Sequence, residues 1–483
     1  MKNISKISAL ALLAIVTISC NKDLTIIQKG AVSTNEAWET QEDAQSCMYG
    51  MIAKSRGAFS SLIISWGDIR TGAWGFYANA VASFMPLMEN NIHETDRGTD
   101  WSSLYNTINL ANVILKHTPD IKFSNTNLEK SILGSAYFIR ASCYYWIARV
   151  WGDAPLITEG LESYDIDLLY PTRSPKTEIF ALVASDLEEA GKYLEGVSAQ
   201  PNMPNIDAVN ALKTDYYLWM YKVEKDNTAL AKARTACNAV IGKHSLLPSF
   251  ADVFSTSNKN NDEVIFAYSM KKDEKEYEEI NSMLCGISEV AEVYLENPVK
   301  AGSHSHALLI TKEYRDLLNS VIGDSRRDAT YGEFYDDISK RNLQWMNKFQ
   351  GTWLNGERVF DTDLIMYRYA DILMYDAEIK CEENNLSGAI ASINQIAKRA
   401  YGKDNFYSAG KSKAEVLDII LLERKKEFLG EGKLWWDFQR LGVVFDEVAT
   451  LKGRQNNKNI LYWPVNQTSL NQNTNLKQTE IEY

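Results

Sequence analysis

The sequence predicts a mostly α-helical protein, a scaffold of paired helices interrupted by a loop-rich insertion with short strands. Three observations predict it. Apolar residues recur at spacings of three and four, which gathers them on one helix face; in residues 130–150 that face is Ile132, Ala136, Ile139, Cys143, Trp146, Ile147 and Val150. Two pairs of such segments, 207–221 with 228–241 and 363–380 with 386–399, each span roughly 34 residues, the period of tetratricopeptide-like hairpins. Residues 251–360 lack the period and hold Gly turns and short strand-like runs such as 263–269.

Lys2 and Lys6 precede an apolar run from Ile7 to Ile18, closed by Ser19-Cys20. A positive end, a short apolar run and a small residue before the cut make an export signal, and the run is shorter than the roughly 20 residues a membrane-spanning helix needs. The cysteine after the small residue suggests the lipobox of bacterial lipoproteins, with Cys20 acylated, although Thr17 stands where an aliphatic residue is usual. The expected organisation is a leader over 1–19, a lipid-proximal tether over 20–34, a helical region over 35–250, and a second region over 251–483 that contains the insertion.

A first helix is expected over 34–56, followed by a long exposed loop over 66–91 that is rich in Gly and aromatics. Helices follow over 101–116, 130–150 and 176–194; Gly152 and Pro155 end the second of these. In the first hairpin the inner face of 228–241 is small (Ala229, Ala233, Ala236), which lets helices approach closely. A last helix covers 412–428, and the tail from Leu451 reads as extended and polar.

At 483 residues the chain can bury a large core, and length alone allows two or three domain-sized units. The formal charge of −12 becomes −14 once the leader and its two lysines are removed, and no basic cluster offsets it, so nucleic acid is an unsuitable partner. Beyond Cys20 there are five cysteines (47, 143, 237, 285 and 381), odd in number and without C-x-x-C. Buried free thiols fit better than a disulfide framework, with one disulfide left open.

Four stretches carry a resemblance. They are Gly134 to Ile157, which includes Phe138-Ile-Arg-Ala141 and Trp151-Gly-Asp-Ala-Pro155; Tyr367-Arg-Tyr-Ala-Asp-Ile-Leu-Met-Tyr-Asp-Ala-Glu378; Glu423-Arg-Lys-Lys-Glu-Phe-Leu-Gly-Glu-Gly-Lys-Leu-Trp-Trp-Asp-Phe-Gln-Arg440; and Leu461-Tyr-Trp-Pro-Val465 with Asn473-Thr-Asn-Leu-Lys-Gln478. In this order, behind a lipobox, the chain resembles the SusD/RagB family of outer-membrane nutrient-binding lipoproteins. It departs from the family pattern at Asp376, at Gly430 and in the missing proline of 473–475. The resemblance implies a helical scaffold, a lipid anchor in the outer membrane with surface exposure, and a role as lid of a SusC-like TonB-dependent transporter. It implies capture of an oligosaccharide, or in some branches a peptide, without cofactor or catalytic residues. By their own spacing, Glu423, Arg424, Glu427 and Glu431 make helical ion pairs worth only tenths of a kcal/mol each; Trp435, Trp436 and Phe438 pack a helix end.

Catalytic patterns are missing: no G-x-S-x-G, H-E-x-x-H, P-loop or G-x-G-x-x-G occurs. His304 and His306 lack further metal ligands nearby. Carboxylate pairs such as Asp165/Asp167 and Asp361/Asp363 keep a glycosidase as an alternative. The stronger pattern is aromatic. Sugars present apolar C–H faces and polar edges, so a sugar site sets flat rings beside hydrogen-bonding groups. Residues 66–79 offer Trp74, Phe76 and Tyr77 as platforms with Asp68, Arg70 and Asn79 as polar edges. Trp345 and Trp353, with Asn347, Gln350 and Asn355, form a second set; Asn90, Asn91 and Tyr294 are weaker candidates. Each aromatic contact is worth on the order of 1 kcal/mol, so the expected capture is weak and reversible.

Overall fold

Most of the predicted helices form, and side-chain caps start several of them. In the computed structural model the described residues are 38–76, 82–162, 169–277, 308–337, 340–355 and 357–483. Cys20, Tyr77, Asn79, Asp165, Asp167, Cys285, Tyr294, His304 and His306 lie outside them. Helix α1 (Gln41–Gly67) starts at a capping box in which the Thr40 hydroxyl accepts from the Asp43 N–H and the Asp43 carboxylate accepts from the Thr40 N–H. It runs past the predicted end at 56 because Ala58, Phe59, Ile63, Ile64 and Trp66 are buried on several sides, which hides the single-face period. Next come α2 (Ser102–His117), α3 (Thr126–Trp151), α4 (Lys176–Leu194), α5 (Ile206–Lys222) and α6 (Ala229–Asn238). Asn125 and Asn205 cap α3 and α5 through their side-chain oxygens.

Beyond the insertion lie α7 (Tyr369–Glu382), α8 (Leu386–Tyr401), α9 (Lys413–Glu427) and α10 (Leu434–Leu441). Neighbours in sequence pack as pairs, α1 with α2, α3 with α4, α5 with α6 and α7 with α8, and α7 in turn packs on α5, α6 and α9. This is the tetratricopeptide-like scaffold expected. Residues Thr40–Tyr483 form one compact unit. Cys143 and Cys237 are buried free thiols.

Three local expectations are corrected. The segment 363–380 is helical only from Tyr369; Leu364–Arg368 is a strand (β8) paired antiparallel with Val264–Tyr268 (β2). Both strands are buried along their whole length, so the apolar run carries no period. The tail from Leu451 is not uniformly polar or extended, since Trp463 and Val465 are fully buried and Gln467–Gln472 forms a short helix. The motif ion pairs are not surface pairs either. Arg368, inaccessible to solvent, donates to Glu431 at 2.9 and 2.8 Å, to Glu263 at 2.9 Å and to Glu427 at 2.6 Å. Arg326 reaches Asp324 at 2.9 Å and Glu423 at 2.7 Å, and Arg399 reaches Glu263 at 2.7 Å.

Buried ions of this kind cost several kcal/mol each to desolvate and persist only when fully partnered. Glu263, Asp324 and Arg326 come from the insertion, Arg368 from the end of β8 where it caps α7, Arg399 from α8, and Glu423, Glu427 and Glu431 from α9 and the turn after it. The network therefore keys the insertion to the scaffold.

The departures from the family pattern have local causes. Asp376 accepts from Arg234 at 2.6 Å, Lys380 at 2.6 Å and Ser392 at 2.5 Å, tying α6 to α8. Gly430 has φ +81°, and the Met346 side chain fills the space a Cβ would need. Asn473 and Asn475 donate to the carbonyls of Pro171 and Tyr170 at 2.8 and 2.7 Å, holding the 169–171 segment without a proline.

Candidate functional site

The first predicted set is drawn into the interior. Asp68, at the end of α1, is solvent-inaccessible and accepts the backbone N–H groups of Gly432 at 3.1 Å and Leu434 at 3.2 Å. That contact requires two glycines, because a Cβ on Gly67 would collide with the Gly432 carbonyl and one on Gly432 with Ile63. Burial pushes the Asp68 carboxyl up to about 7, against the pull of its two backbone donors. Arg70 is 1% exposed; it donates to Asn90 at 2.7 Å and to the carbonyls of Leu461 and Ile460 at 2.9 and 2.8 Å, and stacks 4.1 Å from the Trp435 ring. Burial pulls its guanidinium down to about 9.

Trp74 lies on β1 (Trp74–Phe76), which pairs with β3 (Leu308–Ile310), and is 3% exposed. The expectation of an exposed loop is thus corrected for Asp68, Arg70 and Trp74. They lock the end of α1 to the turn before α10 and to the C-terminal tail, and they present no group to a ligand. Asn90 is buried with them. Phe76 remains, 49% exposed.

The second set is at the surface. Hairpin β4–β5 (Tyr331–Asp336 with Arg341–Met346) pairs Gly332 directly opposite Trp345. The indole folds across Gly332, occupying the space a Cβ would take. Its Nε1–H donates to Asn347 Oδ1 at 2.7 Å, and its ring meets Phe334 edge-on at 5.9 Å. Gln350 donates to the same Asn347 oxygen, and Arg358 donates to the Gln350 carbonyl at 2.9 Å. Arg358 in turn lies 5.4 Å from the ring centre of Trp353, in hairpin β6–β7 (Thr352–Leu354 with Glu357–Val359). A continuous set of contacts therefore joins Trp345 to Trp353, both half-buried, and Asn355 is exposed at the hairpin tip.

Two anchors fix this surface to the core. Lys348, 1% exposed, donates to Glu431 at 2.8 Å and to the Glu427 carbonyl at 2.7 Å. Burial draws it down to about 8 against the attraction of Glu431. Gln344 Oε1 accepts the Ile310 N–H at 2.7 Å, joining the hairpin to β1–β3. Strand alternation puts Trp345 and Phe334 on one face and Tyr335 and Gln344 on the other. The structure thus unites Trp345 with Trp353 and leaves Phe76, on β1, outside these contacts; Tyr335, on the other face of the hairpin, is 53% exposed.

Sequence reasoning missed Tyr335, Gly332 and Arg358. The alternation of 331–336 was the available signal for a strand; the cross-strand partner of Gly332 was not legible. Of the carboxylate alternative, Asp363 accepts from Lys259 and the Met270 N–H, both at 2.9 Å, and Asp361 accepts from Thr352 at 3.1 Å. Among the described residues no group of three or more His, Cys, Asp or Glu side chains is placed to hold a metal ion.

Comparison with known proteins gives consistent matches. A family described as the SusD family matches residues 340–483. One described as starch-binding, associating with the outer membrane, matches residues 75–218. A SusD-like protein of Formosa agariphila is 26% identical over 96% of this chain and 96% of its own. Among solved structures, NanU of Bacteroides fragilis superposes with a TM-score of 0.79 at 25% identity, covering 95% of this chain and 100% of that one. A SusD superfamily protein from Bacteroides fragilis gives 0.78 at 24% identity, with 92% and 99% covered. The surface glycan-binding protein A of Bacteroides fluxus gives 0.75 at 19% identity, with 91% and 99% covered.

Proposed function

Because the chain belongs to the SusD family, we propose that it captures an oligosaccharide at the outer membrane and stacks it on Trp345 and Trp353. The observation that carries this reading is the pair of half-buried indoles, one folded onto Gly332 and held by Asn347, the other beside Arg358. Rings fixed before the ligand arrives lose little freedom on binding, so more of each contact appears as affinity. The family description that names starch and the outer membrane supports the ligand class, as does a structural neighbour whose name is surface glycan-binding protein. No catalytic residue has a part in it.

The same reading has Cys20 carrying the lipid, the protein displayed on the cell surface, and captured glycan delivered to a SusC-like TonB-dependent transporter. The family resemblance and the order of the leader residues support these three parts. Replacement of Cys20 by Ser removes palmitate labelling and releases the chain from the membrane fraction; retention with label contradicts the anchor. The ligand class is tested on an array of glycans and peptides with the purified protein. Glycan signals that fall in Trp345→Ala and Trp353→Ala support the reading, whereas binding to peptides alone replaces the sugar with a peptide on the same scaffold. Sugar turnover would favour a glycosidase.

A further inference from the structure

A second concave surface lies away from the two hairpins. It is a cleft of about 540 Å³ between the start of α2, the turn after α3 and the C-terminal tail, within the roughly 300–1,000 Å³ typical of small-molecule sites. Its floor is aromatic. Trp101 packs edge-on against Tyr105 at 5.7 Å, and Tyr105 is pinned by its hydroxyl, which donates to the Pro155 carbonyl at 2.6 Å. Tyr170 forms a wall, 39% exposed, on the segment that Asn473 and Asn475 clasp through its backbone carbonyls. The rim carries the exposed amides Asn106 and Gln472.

Among the described residues no charged side chain lines the cleft, on a chain whose formal charge is −12. The contrast is a neighbouring cleft of about 480 Å³ lined by Asp153, Arg173, Lys176, Lys458 and Glu480. There Lys176 is held by Glu224 at 2.8 Å, and Arg173 is spent on three backbone carbonyls.

We propose that the cleft is a second carbohydrate site, one that takes an oligosaccharide with a ring face on the exposed Tyr170 and hydroxyls on Asn106 and Gln472. Among the described lining residues none offers an opposite charge to a charged sugar. Among those same residues a peptide finds no ion to receive its termini and no exposed strand edge to extend. The site is independent of Trp345 and Trp353, and stands or falls separately from them.

The test uses the full-length chain in detergent, with Trp345→Ala and Trp353→Ala combined so that only the cleft is left to read. Maltotriose, cellotriose and mannotriose are titrated by saturation-transfer NMR, with trialanine as the peptide control. Binding of at least one sugar should persist in that background and fall about fivefold or more with Tyr170→Ala and with Gln472→Ala. Both side chains are solvent-exposed, and unchanged melting curves identify the loss as one of binding. No residual sugar binding, or residual binding that ignores both substitutions, overturns the cleft. So does trialanine binding that Tyr170→Ala abolishes. Comparison of wild type with the double variant judges the hairpin site on its own.

Discussion

Asp68 shows what a single carboxylate does when two chain segments must meet. Its two oxygens take one backbone N–H each from Gly432 and Leu434, and no neutral side chain of that size accepts from both. In Asp68→Asn one oxygen becomes an NH₂ group facing a buried N–H donor. We expect a loss of about 1–3 kcal/mol, measured by urea unfolding at pH 8, with sugar affinity unchanged. A fall in affinity without a fall in stability would return Asp68 to the ligand site. The residue types at 66–79 were legible as a functional-looking set of aromatics and polar groups. Their burial was not, because the partner of Asp68 lies 364 positions away and no local window contains it. The same limit applies at Trp345: its residue type marked a platform, but the Gly332 that makes room for the ring comes from the facing strand.

At the scale of elements, the α9 motif joins scaffold to insertion through buried charge. Truncating Arg368 to Met leaves Glu263, Glu427 and Glu431 short of a partner that none of the remaining cations can replace in position. Breaking a buried pair of this kind costs about 3–5 kcal/mol, and limited proteolysis should then cut first within the insertion, residues 251–360. Cleavage spread evenly along the chain, or unchanged stability, would mean that the network does not hold the insertion. Helix existence was the most legible property here: α4 matches its expected limits, and α3 and α9 follow the spacing of their apolar faces. Strand β8 was not legible, since Leu364–Arg368 is buried on both faces and a continuous apolar run carries no period. The motif charges were readable as helical neighbours, whereas their burial depends on Arg326, Lys348 and Arg399 arriving from elsewhere.

For the molecule as a whole, the same network sets the response to acid. Burial alone would raise Glu427, but Arg399, Arg368 and Arg326 outweigh it and hold the carboxyl at about 2; Glu431 is lowered likewise, against burial, by Arg368, Lys348 and Lys433. A carboxylate depressed in the folded state contributes stability above its unfolded value, near 4.5, and loses it as pH falls through the folded one. Thermal unfolding should therefore shift steeply downward between about pH 4.5 and 2. A melting temperature that is level below pH 4.5 would contradict the assigned ionisation of the network. The central claim is sugar capture on a pre-arranged pair of indoles, and a calorimetric titration tests it most directly. It uses the strongest glycan from the array with wild type, Trp345→Ala and Gly332→Ala, the last placing a methyl group where the indole now rests. The account predicts that both substitutions weaken binding, by about fivefold or more, while the fold is retained. Full affinity in both variants would contradict it and move the site off this hairpin.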